Sequence, residues 1–157
     1  MSLWWAKREQ LDKHQVKLIE DLPLRDCFLV LGPPGSGKTN VLLRRAQFVR
    51  SQGMPNVMVL TFTRSLTEFV KTGCFDSDRR EIFPQNCVTT IESWIRWLYR
   101  EHDANHPTIH RNFKEWKIAL ASGAFEFIKQ GRIPQYDAFF VDEAQDLMPE
   151  EVQLISQ

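Results

Sequence analysis

What this sequence has little of narrows its class before any motif is considered. Three cysteines, Cys27, Cys74 and Cys87, are scattered along 157 residues. None forms a C-x-x-C pair, which argues against a disulfide framework, a redox centre or a cysteine metal site. Such sparse use fits a reducing cytoplasm. No run of about 18 apolar residues occurs, so no membrane span is expected. The N-terminus also lacks the apolar core of a secretory signal. Neither sign of charge is in excess, with 20 Lys+Arg against 20 Asp+Glu. Any nucleic-acid contact would have to come from a local patch. Internal repeats and low-complexity segments are missing too. What remains is one domain, residues 1–157, large enough to bury about two-thirds of its unfolded surface without a staple.

The pattern that is present alternates short apolar runs with helical stretches. A leading helix is expected within residues 4–22, from about Ala6 to Ile19, ended by Leu22-Pro23. Cys27 to Leu31 is an uninterrupted apolar run and predicts a strand buried on both faces. Gly32 to Gly37 form a loop, and a helix follows from Lys38 to Ser51 with Gly53 at its end. Val57 to Leu60, Cys87 to Thr89 and Ala138 to Val141 predict three more strands. Helices are expected over Ser65–Lys71, over Ile91–Arg100, and from Pro149 onward. Phe113 to Gln130 predicts a helix broken near Ser122-Gly123, within a small insertion spanning 101–135. The alternation implies an α/β fold: a parallel sheet with helices on both faces. Ligands of such sheets bind beyond the carboxyl ends of the strands, where the polar motifs of this chain fall.

The strongest motif is Gly32-Pro33-Pro34-Gly35-Ser36-Gly37-Lys38-Thr39, which fits G-x-x-x-x-G-K-[ST] between a strand and a helix. Its glycines allow successive backbone N–H groups to turn inward onto phosphates, and the helix behind adds its positive end. Lys38 is expected to reach the β- and γ-phosphates, and the Thr39 hydroxyl to hold Mg²⁺. Asp142, at the end of an apolar strand, suits the carboxylate that holds Mg²⁺ through its water shell. Glu143 beside it is the candidate general base. ATP and Mg²⁺ are the implied cofactors of this P-loop NTPase pattern.

Asp142-Glu143-Ala144-Gln145-Asp146 resembles motif II of the UvrD/Rep family of superfamily 1 DNA helicases. Residues 32–39 look like motif I of that family, and Leu11-Asp12-Lys13-His14-Gln15 looks like its Q motif. Thr61-Phe62-Thr63-Arg64 is similar to motif Ia, and Thr89-Thr90-Ile91-Glu92-Ser93-Trp94 more loosely to motif Ic. The resemblance implies a RecA-like fold and coupling of ATP hydrolysis to movement on single-stranded DNA. Under it, Gln15 reads adenine and Gln145 senses the γ-phosphate or attacking water. Thr63 and Thr90 touch DNA phosphates beside Arg64, and Phe62 either stacks on a base or packs in the core. The chain departs from the family at Arg64-Ser65-Leu66-Thr67, where Asn-Lys-Ala-Ala is usual, and at Glu92, where histidine is usual. Lys38 and Asp142 also lie close together in sequence for this family. Motifs III to VI, and the second RecA-like domain whose arginine is worth about 10³–10⁵ in rate, do not occur before Gln157. The expectation is therefore good ATP binding, poor hydrolysis by this chain alone, and completion by a further domain or a partner subunit.

Other features carry weaker expectations. His102, His106 and His110 are four apart but interrupted by Pro107, a poor frame for a metal. Trp94 and Trp97 read as core. Trp4 and Trp5 fit either packing under the adenine site or contact with another domain, and Arg44 and Arg45 read as a solvated helix face. Two further function classes stay open: a nucleotide-gated binding module, and another P-loop ATPase such as an AAA+ protein.

Overall fold

The computed structural model describes residues 5–108 and 112–157. Its sheet has three parallel strands, β1 (Val57–Thr61), β2 (Val88–Thr90) and β3 (Ala138–Val141), in the order β2-β1-β3. Val59 of β1 stands opposite Val88 on one side and Phe140 on the other. The central strand thus has no free edge, and its apolar run is buried between two layers of helices.

Side chains of β1 alternate between those layers, as the pleat requires. Val57 and Val59 join a core with Leu43, Ala46 and Val49 of α2 (Lys38–Ser51) and Val70 of α3 (Arg64–Thr72). Leu60 faces the other core. It packs there with Ile91, Trp94, Ile95 and Leu98 of α4 (Ile91–Glu101), and with Trp116, Leu120 and Ala124 of α5 (Phe113–Lys129). Leu154 of α6 (Pro149–Ile155) closes that side. Helices therefore cover both faces, as expected for this α/β class.

The leading stretch is not one helix. A 3₁₀ turn at Arg8–Gln10 precedes α1 (Lys13–Glu20). Asp12 separates them because its carboxylate accepts from Gln15 N at 2.8 Å while Gln15 Oε1 accepts from Asp12 N at 3.1 Å. This reciprocal cap starts a helix and cannot sit inside one.

Three other expectations are corrected. Cys27–Leu31 is extended but forms no ladder with the sheet, and Leu29 and Leu31 are 75% and 82% exposed. An apolar run reports affinity for a buried place, and burial on both faces needs neighbours on both sides. Here Leu18 and Leu22 of the leading segment wall one side of a cleft with Phe28 to Leu31.

The α5 helix runs unbroken through Ser122-Gly123. Gly123 is there for close approach: a Cβ on it would stand 2.1 Å from the Tyr99 hydroxyl, which donates to Leu120 O at 3.0 Å.

Arg45 is buried rather than solvated, and Arg44 is half-buried. The Arg45 guanidinium donates to Ile19 O and Leu22 O at 2.7 Å and to Pro23 O at 2.8 Å. A cation placed on one last-turn carbonyl of α1 and on the two carbonyls of Leu22 and Pro23 just beyond it satisfies groups that the helix cannot, and it ties the end of α1 to α2.

Trp94 is buried and Trp97 packs against the same core, as expected. Trp5 instead stacks on Phe69 of α3 at 5.1 Å and donates to Thr72 Oγ1 at 2.8 Å. This places Trp5 against α3 rather than under the adenine site; Trp4 lies outside the described residues. Of the three histidines, His110 also lies outside them. The His102 ring packs on Phe127 at 4.7 Å, and His106 Nδ1 meets Pro107 O. No group of three metal-ligating side chains occurs among the described residues, nor any helix long and apolar enough to cross a membrane.

Candidate nucleotide site

The glycine-rich loop leads from the extended 27–31 run into α2. Gly35 and Gly37 have φ of 79° and 81°, in the left-handed region that side chains disfavour. Gly37 is the N-cap of α2 and brings no side chain to the first-turn amides. Those N–H groups are left for an anion, together with the positive end of the helix. A Cβ on Gly32 would stand 2.8 Å from Ser36 Oγ, so a side chain there would make the Ser36 hydroxyl turn away. The loop curls back through Ser36 N donating to Pro33 O at 3.2 Å. Lys38 arches over it, its ammonium donating to Gly32 O at 2.9 Å and Pro33 O at 3.0 Å. Pro34 and Ser36 are exposed along the rim.

Asp142 extends β3, its N–H donating to Leu60 O at 2.9 Å. That register brings its carboxylate to the start of α2, where Thr39 Oγ1 donates to Asp142 Oδ2 at 2.8 Å. Asp142 is 5% exposed. Burial pushes its carboxyl above the usual range, the Thr39 hydrogen bond pulls it partly back, and the Glu143 charge pushes it up again. A desolvated carboxylate facing a hydroxyl is a donor set suited to a small hard cation.

Glu143 follows in the left-handed region at φ 56°. This conformation is costly for a residue with a Cβ and tends to persist at functional positions. Its side chain is exposed, and its Oε2 accepts from Gln145 Nε2 at 2.5 Å. Ala144–Asp146 form a 3₁₀ turn, so Gln145 folds back onto Glu143 two residues before it.

Gln15, in the first turn of α1, reaches the same loop. Its Nε2 donates to Ser36 O at 3.3 Å and lies 3.1 Å from where a Gly37 Cβ would be. Between α1, Phe28–Leu31 and the loop lies a cleft of about 400 Å³, lined by Gln15, Leu18, Leu22 and Lys38 among others. That is the size of a small-ligand pocket.

The residues expected to meet DNA cluster beyond β1 and β2. Thr63 is the N-cap of α3, its hydroxyl accepting from Leu66 N at 3.2 Å. Thr90 is the buried N-cap of α4, accepting from Ser93 N at 3.1 Å and donating to Ser93 Oγ at 2.8 Å. Both hydroxyls are thus engaged in the fold. Arg64 is exposed, and Phe62 is 38% exposed at the end of the central strand. Glu92 pairs with Arg96 one turn on, at 3.0 Å.

Sequence reasoning passed over Lys117, whose ammonium stands 4.9 Å from the centre of the Phe62 ring. The available signal was its place on the apolar stripe of α5, one turn before Ala121.

A glycine loop at a helix N-terminus, with Lys38-Thr39 behind it and Asp142 opposite, defines a P-loop nucleotide-binding domain. Residues 15–157 match the family described as AAA domain, and the chain belongs to that family. Neither the curated proteins nor the solved structures gave a match to the chain.

Proposed function

We propose that this chain is the ATP-binding domain of a UvrD/Rep-like DNA helicase or translocase, coupling ATP hydrolysis to movement on single-stranded DNA. The observation that carries the reading beyond a general P-loop ATPase is Gln15, whose amide touches the phosphate loop at Ser36 O from a reciprocally capped helix. A glutamine anchored there has one face on the loop and the cleft beside it, where its amide can pair with an adenine edge.

In this reading the loop amides and Lys38 take the β- and γ-phosphates. Thr39 and Asp142 hold Mg²⁺, which supplies neutralisation of phosphate charge when bound. Glu143 accepts the proton of the attacking water, and Gln145, which already touches its carboxylate, orients that water. Phe62 offers a ring face to a base, and Arg64 a charge to the strand. A second RecA-like domain, covalently linked or in a partner subunit, supplies the arginine that speeds transfer.

Nucleotide selectivity tests the reading. Gln15→Ala should lower affinity for ATP more than for GTP, since the loop contact at Ser36 O is lost for both and the adenine contact for ATP alone. Glu143→Gln should bind ATP at least as tightly as wild type, and should lose hydrolysis when the second RecA-like domain, linked or in a partner subunit, is supplied together with single-stranded DNA. An unchanged ATP-over-GTP preference in Gln15→Ala would reduce the protein to a general P-loop ATPase. Wild-type turnover in Glu143→Gln would move the base elsewhere.

A further inference from the structure

The nucleotide site makes no use of a buried ion pair on the opposite face of the sheet. Lys117 of α5 and Glu151 of α6 are 5% and 1% exposed, and Lys117 Nζ lies 3.0 Å from Glu151 Oε1. Such a pair loses solvation on both sides and is a poor device for stability alone. Its two ends lead to different places.

Glu151 Oε2 accepts from Met148 N at 2.9 Å, so the same carboxylate caps the first turn of α6. Met148 follows the Asp142–Asp146 segment with one residue between. At the other end, the Lys117 ammonium faces the Phe62 ring at 4.9 Å, within cation–π range. Phe62 is the partly exposed aromatic at the tip of the central strand. A chain of direct contacts therefore runs from the segment carrying Glu143 and Gln145, through Met148 and Glu151, to Lys117 and Phe62.

We infer that Lys117 is a positioning residue for Phe62: held by Glu151, it sets the ring for stacking on a base of single-stranded DNA. Through the α6 cap it also links that ring to the segment after Asp142. This inference rests on the DNA-binding reading above. The ammonium attracts the electron-rich face of the ring, and Phe62 keeps its other surface for the ligand. Lys117 touches no ligand itself. A shift of the Glu143–Asp146 turn on nucleotide binding would move Met148, and with it the carboxylate that holds the ammonium.

The test uses the whole chain with a short single-stranded oligonucleotide carrying 2-aminopurine, whose fluorescence falls when the base stacks. Wild type should quench the probe, and Phe62→Ala should lose the quench and about tenfold in affinity. The paired change Lys117→Met with Glu151→Gln removes both charges together, keeps an acceptor for Met148 N, and should give the same loss. Combining it with Phe62→Ala should cost nothing further, because a positioning residue acts only through what it positions. Additive losses would mean that Lys117 contacts DNA independently, and undiminished quenching in the paired variant would mean that it does nothing for Phe62; either overturns the inference. A wild-type protein that neither binds nor quenches the probe sinks the DNA reading along with it.

If the paired variant does not melt cooperatively, fluorinated phenylalanine in the otherwise unaltered chain carries the test. The resonance assigned through Phe62→Leu should shift when a non-hydrolysable ATP analogue binds with Mg²⁺. A resonance that stays in place would overturn the link.

Discussion

Replacing Lys38 by alanine separates binding from folding, and the structure sets the size of both effects. The ammonium donates to Gly32 O at 2.9 Å and Pro33 O at 3.0 Å, on a loop whose residues are exposed. Water can take over both carbonyls, so the free protein should lose under about 1 kcal/mol. For a chain of this length that is a fall of about 2–4 °C in melting temperature. Nucleotide binding should suffer more, because a hydrogen bond to a charged group contributes about 1.5–3 kcal/mol. That corresponds to roughly 10–150-fold in Kd.

Thermal melting with and without Mg·ATP reads both quantities at once. At a ligand concentration 100 times the wild-type Kd, wild type should gain about 2.7 kcal/mol, or roughly 5–11 °C. At the same concentration the variant should gain about 0.3–1.4 kcal/mol. Calorimetry gives the two affinities directly. Equal affinities would refute the site. A variant that melts many degrees lower without ligand would show that Lys38 serves the fold instead.

Asp142→Asn keeps the side chain's shape and an acceptor for Glu143 N, turns the other position into a donor to the Thr39 hydroxyl, and removes a desolvated charge. Because burial raises the folded carboxyl above its unfolded value, wild type is favoured below the ordinary carboxylate range and loses that advantage as pH rises through the raised value. Relative to wild type, the variant should therefore gain stability from acid to neutral pH, and Mg²⁺ should strengthen its nucleotide binding less; a wild type that gains on the variant over that range would reverse the argument. Arg45→Met strands the carbonyls of Ile19, Leu22 and Pro23, and urea unfolding should show a loss of about 2–4 kcal/mol. Gly123→Ala forces a methyl onto the Tyr99 hydroxyl and should cost about 1–3 kcal/mol by the same assay. Tyr99→Phe in the same chain should recover part of that loss, and no recovery would mean that the strain lies elsewhere.

Local chemistry was legible in the sequence wherever one short segment determines its own conformation. The glycine loop, the α2 helix from Lys38 to Ser51 and the strand from Ala138 to Val141 were all expected with the bounds observed. Each depends on neighbours in the chain: glycines where φ must be positive, apolar residues in a run, a polar residue at the strand end. The α/β alternation followed from the same signals, because a parallel strand buried on both faces has nowhere to place polar side chains.

What the tertiary structure decided concerns groups that meet from distant parts of the chain. Cys27–Leu31 had the composition of an inner strand, yet pairing needs a neighbour at ladder distance, and composition does not say where one stands. Gly123 looked like a helix breaker because its partner, the Tyr99 hydroxyl, belongs to another helix. Arg45 looked solvated because the carbonyls it satisfies, in the last turn of α1 and just beyond it, come from a distant part of the chain. The approach of Thr39 to Asp142 depends on the register of β3 beside β1, and the approach of Lys117 to Phe62 on how α5 crosses the sheet. Sequence patterns specify periodicity and the chemistry of each residue. Which charged or polar groups meet is settled by packing, since burial leaves each of them only the partners that the folded chain brings within reach.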